Sequence, residues 1–210
     1  MSNQTHKTPV FFPEPIILAS SSPRRHSILT MLGIPFIPMP PHIDESLEPG
    51  IPAEKMPELL AIKKAETVAA KLPAGIAATL VLGVDTLVIL DGKPYGKPVD
   101  AAEAEGFLTA LSGRTHRVVT AMALHNRRTG YTSSQSCETA VTFAPLAKED
   151  ILWYLNTGEW QGVAGAYRMQ GRGACFVSHI AGLESTVAGL PIEPLFRLLK
   201  DGFANNESGG

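Results

Sequence analysis

Leu80-Val81-Leu82-Gly83-Val84-Asp85-Thr86-Leu87-Val88-Ile89-Leu90 is an apolar run interrupted by a single acid, and the turn signal Asp91-Gly92 follows it. Aliphatic and β-branched residues bounded in this way read as a buried strand that turns into a hairpin. A carboxylate inside such a strand costs several kcal/mol unless a cation, a metal or hydrogen bonds compensate it. Asp85 therefore either closes a structural pair with a buried arginine or is present for its chemistry. Gly83, two positions earlier, lets the strand bend or lets another backbone come close.

Working outward from this strand, Ile16–Ala19 is a second short apolar run suited to a buried strand. It leads into Ser20-Ser21-Ser22-Pro23, where a serine suits the N-cap and Pro23 the first helical turn. The helix is expected to run through Leu32 and stop at Gly33. Another helix is expected over Ala53–Lys71, with Pro57 in its first turn, and others over Ala101–Leu111, Lys148–Asn156 and Pro191–Lys200. His116–Leu124 and Ser136–Phe143 read as paired strands across the polar Asn126–Gly130 turn. Hairpin signals and strand–helix units occur together, so the fold class is α/β, or α+β with a mixed sheet. Residues 1–14 read as a loose lead-in, 15–201 as one large domain or two lobes sharing a cleft, and 202–210 as a flexible tail.

With 210 residues, 44% hydrophobic and 18% charged, the chain can bury a full core as an ordinary globular enzyme does. Its net charge of −2 provides no overall field for nucleic acid or an anionic membrane, so neither is an expected partner. An anionic substrate must then be held by a local cluster of Lys and Arg. Cys137 and Cys175 lack metal-site spacing, and free thiols in a reducing compartment are expected, with a single bridge left open. A stretch of signal-peptide character is missing from the N-terminal residues, and no run approaches the ~18 apolar residues of a membrane span. The cytoplasm is the expected location.

Five polar features carry chemical readings beside plainer ones. In Ser20-Ser21-Ser22-Pro23-Arg24-Arg25 a strand enters a helix N-terminus, where free N–H groups, the helix dipole and two arginines form an anion site. The plainer reading is a capped helix with solvated arginines. Asp85-Thr86 is the second feature. Asp44-Glu45 lies in a Pro-rich loop; it is solvated surface unless Glu45 joins Asp85 around a hard cation whose other ligands are phosphate oxygens. Lys64 borders an apolar helix stripe and Lys97 follows the Asp85 strand; each either serves an anion or snorkels to water. Last, Ala164-Gly165-Ala166-Tyr167-Arg168-Met169-Gln170-Gly171 is an ordinary tight loop or a surface packed on something flat, with Gln170 able to read a base edge.

Taken together these stretches resemble the Maf (septum formation inhibitor) family, from Ile17 to Leu199. The resemblance rests on LASSSPRR at 18–25, DE at 44–45, KKA at 63–65, GVDTLV at 83–88, GKP at 96–98, LSGRTH at 111–116, AGAYRMQG at 164–171 and GLP at 189–191, in order and spacing. It implies an elongated two-lobed fold with a central cleft, related to the inosine triphosphate pyrophosphatases. It also implies hydrolysis of nucleoside triphosphates to monophosphate and pyrophosphate with a divalent cation, Mg²⁺ or Mn²⁺. By position, Asp85 resembles the proton acceptor, Glu45, Lys64 and Lys97 resemble residues handling metal and phosphate, and Glu45 with Asp85 would be the metal ligands. Ser20, Ser22, Arg24, Arg25, Thr86 and Gln170 would bind substrate, with Arg24, Thr86 and Gln170 where the family tells its substrates apart. SPRR with Gln before Gly is similar to the branch preferring dTTP and UTP. Val163 departs from the pattern, since many members place Lys there. A homodimer is implied by the resemblance. The competing readings are a nucleotide-binding regulator of division without turnover and a phosphatase that releases orthophosphate.

Overall fold

A computed structural model describes residues 12–45, 50–73, 75–76 and 78–207. The lead-in expected over 1–14 lies almost wholly outside the described residues. In chain order the elements are β1 (Ile16–Ala19), α1 (Pro23–Met31), β2 (Phe36–Pro38), α2 (Met56–Lys71), β3 (Leu80–Leu90), β4 (Lys93–Tyr95) and α3 (Ala101–Leu111). They continue as β5 (Thr115–Asn126), β6 (Thr132–Phe143), α4 (Lys148–Leu155), β7 (Val177–Ala181), α5 (Glu184–Val187) and α6 (Ile192–Glu207).

The strands form one mixed sheet in the order β2-β1-β3-β5-β6-β7, the expected α/β class. β1 and β2 run parallel, as do β1 and β3, whereas β3, β5, β6 and β7 meander antiparallel. The eleven-residue β3 is the spine and has two different neighbours along one edge. β1 pairs with it at Val81–Gly83, and β4, returning through the Asp91-Gly92 turn, pairs at Val88–Leu90. Both turn residues have positive φ, as a tight I′-type hairpin requires. Between those two partners the edge of β3 around Asp85 and Thr86 has no strand beside it among the described residues. The sheet is split there.

Each side of the split has its own core. One cluster joins Ile16, Leu18 and Leu82 to Leu195, Leu199 and Phe203 of α6. Another joins Val88 and Leu90 to Leu108, Leu111, Phe143, Ile151 and Tyr154 beneath α3 and α4. A third seats α2 on the opposite face of β1 and β3 through Ala61, Ala65 and Val68. Close seating depends on Gly83, where a Cβ would lie 2.1 Å from the Ala61 carbonyl oxygen and 2.7 Å from the Ala65 nitrogen.

Differences from the sequence reading have local causes. β5 and β6 are longer than expected because polar residues such as Ser133 and Ser134 lie on a half-exposed strand. Three-residue β2 and five-residue β7 carry too few residues to show a period. The final helix passes Lys200 to Glu207 and buries Phe203, so 202–207 is helix rather than loose tail. Ser22 occupies the N-cap of α1 without a side-chain capping bond, although Pro23 opens the helix as expected. Both cysteines are free. Among the described residues no helix is long and apolar enough to cross a membrane.

Candidate active site

A cavity of about 430 Å³ opens at the split in the sheet. Successive side chains of a strand point to opposite faces, so Asp85 looks toward α2 and Thr86 toward α1. Both nevertheless line the same cavity, because the missing neighbour leaves the edge of β3 open. Ser20, Ser22, Arg24, Arg25, Glu45, Lys64 and Lys97 line it as well. Nine of the ten residues singled out in the sequence therefore converge, from five separate segments. The tenth, Gln170, is exposed two positions beyond the lining residue Arg168 and does not line the cavity.

Asp85 is paired with a lysine rather than the arginine considered from the sequence. The Lys64 Nζ lies 2.6 Å from Asp85 Oδ1 and 2.7 Å from Glu45 Oε1, while Lys97 Nζ stands 3.9 Å from Glu45 Oε2. α2 supplies this contact through its register: Ala61 and Ala65 sit over Gly83, so Lys64 on the same side reaches Asp85. Its neighbour Lys63 donates to the Asp44 carbonyl at 2.7 Å, which ties the Asp44-Glu45 loop to the same helix. Burial pushes the Asp85 carboxyl above the usual aspartate range, even against the pull of Lys64 and Arg25. Burial also opposes ionisation of Glu45, but the hydrogen bond and charge of Lys64, with Lys97 and Arg25, hold it below the ordinary value. Two carboxylates of opposite tuning thus share one ammonium.

The two adjacent arginines have different jobs. Arg25 turns inward: its Nε donates to the Gly189 carbonyl at 2.9 Å, Nη1 to Ser20 Oγ at 3.0 Å and Nη2 to Thr86 Oγ1 at 3.1 Å. Thr120 donates its one hydroxyl hydrogen to the Thr186 carbonyl, so in the 2.9 Å contact between the two threonines Thr86 must be the donor. The Thr86 hydroxyl is thereby occupied in both directions by the fold. Burial, with Arg24 nearby, lowers the Arg25 guanidinium to about 10, although Asp85 acts the other way. Arg25 is a brace that also carries charge. Arg24 faces the cavity instead, and burial followed by the charge of Arg168 lowers its guanidinium.

Loop 161–168 forms the opposite wall. The Gly165 N–H donates to the Gly96 carbonyl at 3.0 Å and a Cβ there would come within 2.7 Å of Val88 Cγ2, so the loop lies against β3 beside Lys97. Gly165 has a φ of 69°, which suits glycine. Tyr167 and Arg168 line the cavity from this loop, and sequence reasoning had not singled either out as a site residue. The Tyr167 hydroxyl meets His116 Nε2 at 2.9 Å, and its ring packs edge-on against Phe143. Burial lowers His116 to about 4, which makes it a neutral structural partner.

Counting side chains on the cavity wall, Arg24, Arg25, Lys64, Lys97 and Arg168 oppose Asp85 and Glu45. The basic cluster expected for an anionic substrate is present in a chain that is slightly acidic overall. Among the described residues no group of three His, Cys, Asp or Glu side chains forms a metal cage. A cation here would have Asp85 and Glu45 as protein ligands, which suits a hard divalent ion that takes its remaining oxygens from phosphate and water.

The family model described as Maf-like protein matches residues 15–202. The dTTP/UTP pyrophosphatase of Symbiobacterium thermophilum is 44% identical over 185 residues, covering 88% of this chain and 92% of that protein. The dTTP/UTP pyrophosphatase of Shewanella denitrificans is 44% identical over 182 residues, covering 84% and 90% respectively. Among solved structures, the Staphylococcus aureus Ham1 protein is similar over 62% of this chain and 72% of its own at 19% identity, with a TM-score of 0.44.

Proposed function

The chain belongs to the Maf-like family, and from that premise we propose that it hydrolyses dTTP and UTP between the α and β phosphates, yielding the nucleoside monophosphate and pyrophosphate. The observation that carries the reading is Asp85, a carboxylate kept from full ease of ionisation by burial and placed on the wall of a cavity rich in cations. A group that only bound a polyanion would not need a carboxylate there, since it repels phosphate. A water-activating base does need one.

In this account Asp85 takes a proton from a water molecule whose oxygen forms the new bond to the α-phosphorus. The bond from that phosphorus to the bridging oxygen breaks, and the electron pair leaves on pyrophosphate. Lys64 holds Asp85 and Glu45 in place and offsets their charge. Arg25 fixes the Ser20 turn and Thr86, so the N-terminal turns of α1 face the phosphates. Asp85 and Glu45 both pair with the Lys64 ammonium, which supports reading their oxygens as able to close on one cation. A divalent cation held by the two would neutralise phosphate charge and lower the pKa of bound water. Substrate selection by Arg24, Thr86 and Gln170 belongs to the same reading, as do the cytoplasm and a homodimer. Thr86 would act there by shape and by its fixed contact with Arg25, its hydroxyl being already engaged.

The test is a panel of nucleoside triphosphates, normal and modified, incubated with the purified protein and Mg²⁺ or Mn²⁺ and scored for both phosphate products. Pyrophosphate with preference for dTTP and UTP is expected. Orthophosphate release would indicate γ-end hydrolysis, and no turnover at all would leave a nucleotide-binding regulator.

A further inference from the structure

Two guanidinium groups on the cavity wall differ from the other cations there. Lys64 lies between two carboxylates, Lys97 stands near Glu45, and Arg25 donates to Ser20, Thr86 and Gly189. The side chains of Arg24 and Arg168 make no ion pair and no hydrogen bond among the described residues, yet both line the cavity. The Nε of Arg168 is buried without a partner among the described residues. A buried donor of this kind is unfavourable until something accepts from it. The nearby acid Glu159 does not relieve it, for Glu159 is engaged by the Arg172 side chain at 3.2 Å and backbone N–H at 2.8 Å.

The loop holds Arg168 firmly despite this. Its backbone N–H donates to the Tyr154 hydroxyl at 2.9 Å, and its carbonyl accepts from the Gly171 N–H at 3.1 Å. A Cβ on Gly173 would come within 2.8 Å of the Arg168 backbone, so the following turn packs directly on it. Arg24 is likewise fixed in the first turn of α1. Two unpaired guanidinium groups, carried on anchored backbone on opposite walls of one cavity, repel each other when no ligand is present. A multiply charged anion would relieve that repulsion; a neutral carbonyl would not.

We propose that Arg168 is a substrate-binding residue which, with Arg24, holds the departing pyrophosphate. The choice of that group rests on the hydrolase reading above. When the α–β bond breaks, negative charge accumulates on the leaving group, while Lys64 and Lys97 already face carboxylates and the Arg25 fork is engaged by Ser20, Thr86 and Gly189. Arg24 and Arg168 are the ones with full charge to give, and their planar forks match phosphate oxygens.

The experiment uses inorganic pyrophosphate as the probe on the full chain, in calorimetry and as an inhibitor of dTTP hydrolysis. The parent, Arg168→Gln and Arg168→Lys are compared. Arg168→Gln is expected to weaken pyrophosphate binding about tenfold or more, the size of one charge-assisted contact, and to weaken inhibition in parallel. Arg168→Lys should recover part of both, with thermal midpoints near the parent's. Unchanged pyrophosphate affinity alongside a raised KM for dTTP would overturn the proposal and place Arg168 on the nucleoside. A Lys variant no better than Gln, with a lowered midpoint in both, would overturn it in favour of a structural role. Loss of pyrophosphate binding in Arg168→Gln, in a protein that turns over no nucleotide, would support the anion contact and fault the hydrolase reading alone.

Discussion

Asp85 is pulled two ways: burial raises its pKa and Lys64, 2.6 Å away, lowers it, with burial the larger influence. Asp85→Asn should keep the fold and lose on the order of 10²–10⁴ in kcat, the usual worth of a general base. Because the folded carboxyl titrates above its unfolded value, it favours folding fully only at low pH, and that contribution is lost as pH rises through the folded pKa. The Asn variant should therefore melt no lower than the parent at neutral pH, and the parent's kcat/KM should fall on acidification with a midpoint above the ordinary aspartate range. A fully active Asn variant would remove Asp85 from the chemistry. At this scale the sequence was informative where a residue contradicted its surroundings: an acid among aliphatics, a lysine on an apolar stripe. Arg168 contradicted nothing as one polar residue in a loop, and only folding shows that it faces the cavity. Gln170, conversely, has the right functional group but lies outside the lining.

The contact between α2 and β3 transmits sequence to site. Gly83 lets the helix backbone sit on the strand, and the pairs from Lys64 to Asp85 and Glu45 follow from that closeness. Gly83→Ala places a methyl 2.1 Å from the Ala61 carbonyl, where two backbones must separate. Such overpacking costs about 1–3 kcal/mol or more, and the displaced Lys64 should lower kcat as well. Chemical denaturation and steady-state kinetics check both; a stable and fully active variant would show that the contact is not needed. The sequence revealed β3 and α3 to the residue because long periodic runs ended at strong punctuation, Asp91-Gly92 and Ser112-Gly113. It did not reveal β2, β7 or α5, whose lengths of three to five residues are fixed by neighbours in space rather than by pattern. The end of α6 was misplaced for a related reason: Phe203 finds its core only once β3 and β5 are assembled.

Across the whole molecule, the split sheet explains how a chain of net charge −2 can hold a polyanion. β1 and β4 flank different halves of β3, each half has its own core, and the strand edge left open between them gathers five cations around two acids. On the proposed reading, the attacking water would lie beside Asp85, and Arg24 and Arg168 would balance charge where pyrophosphate leaves. The most direct measurement is hydrolysis of dTTP in heavy-oxygen water, followed by mass analysis of both products. The account predicts that the label enters the nucleoside monophosphate and that pyrophosphate stays unlabelled. Label in pyrophosphate, or the release of labelled orthophosphate with nucleoside diphosphate, would contradict it.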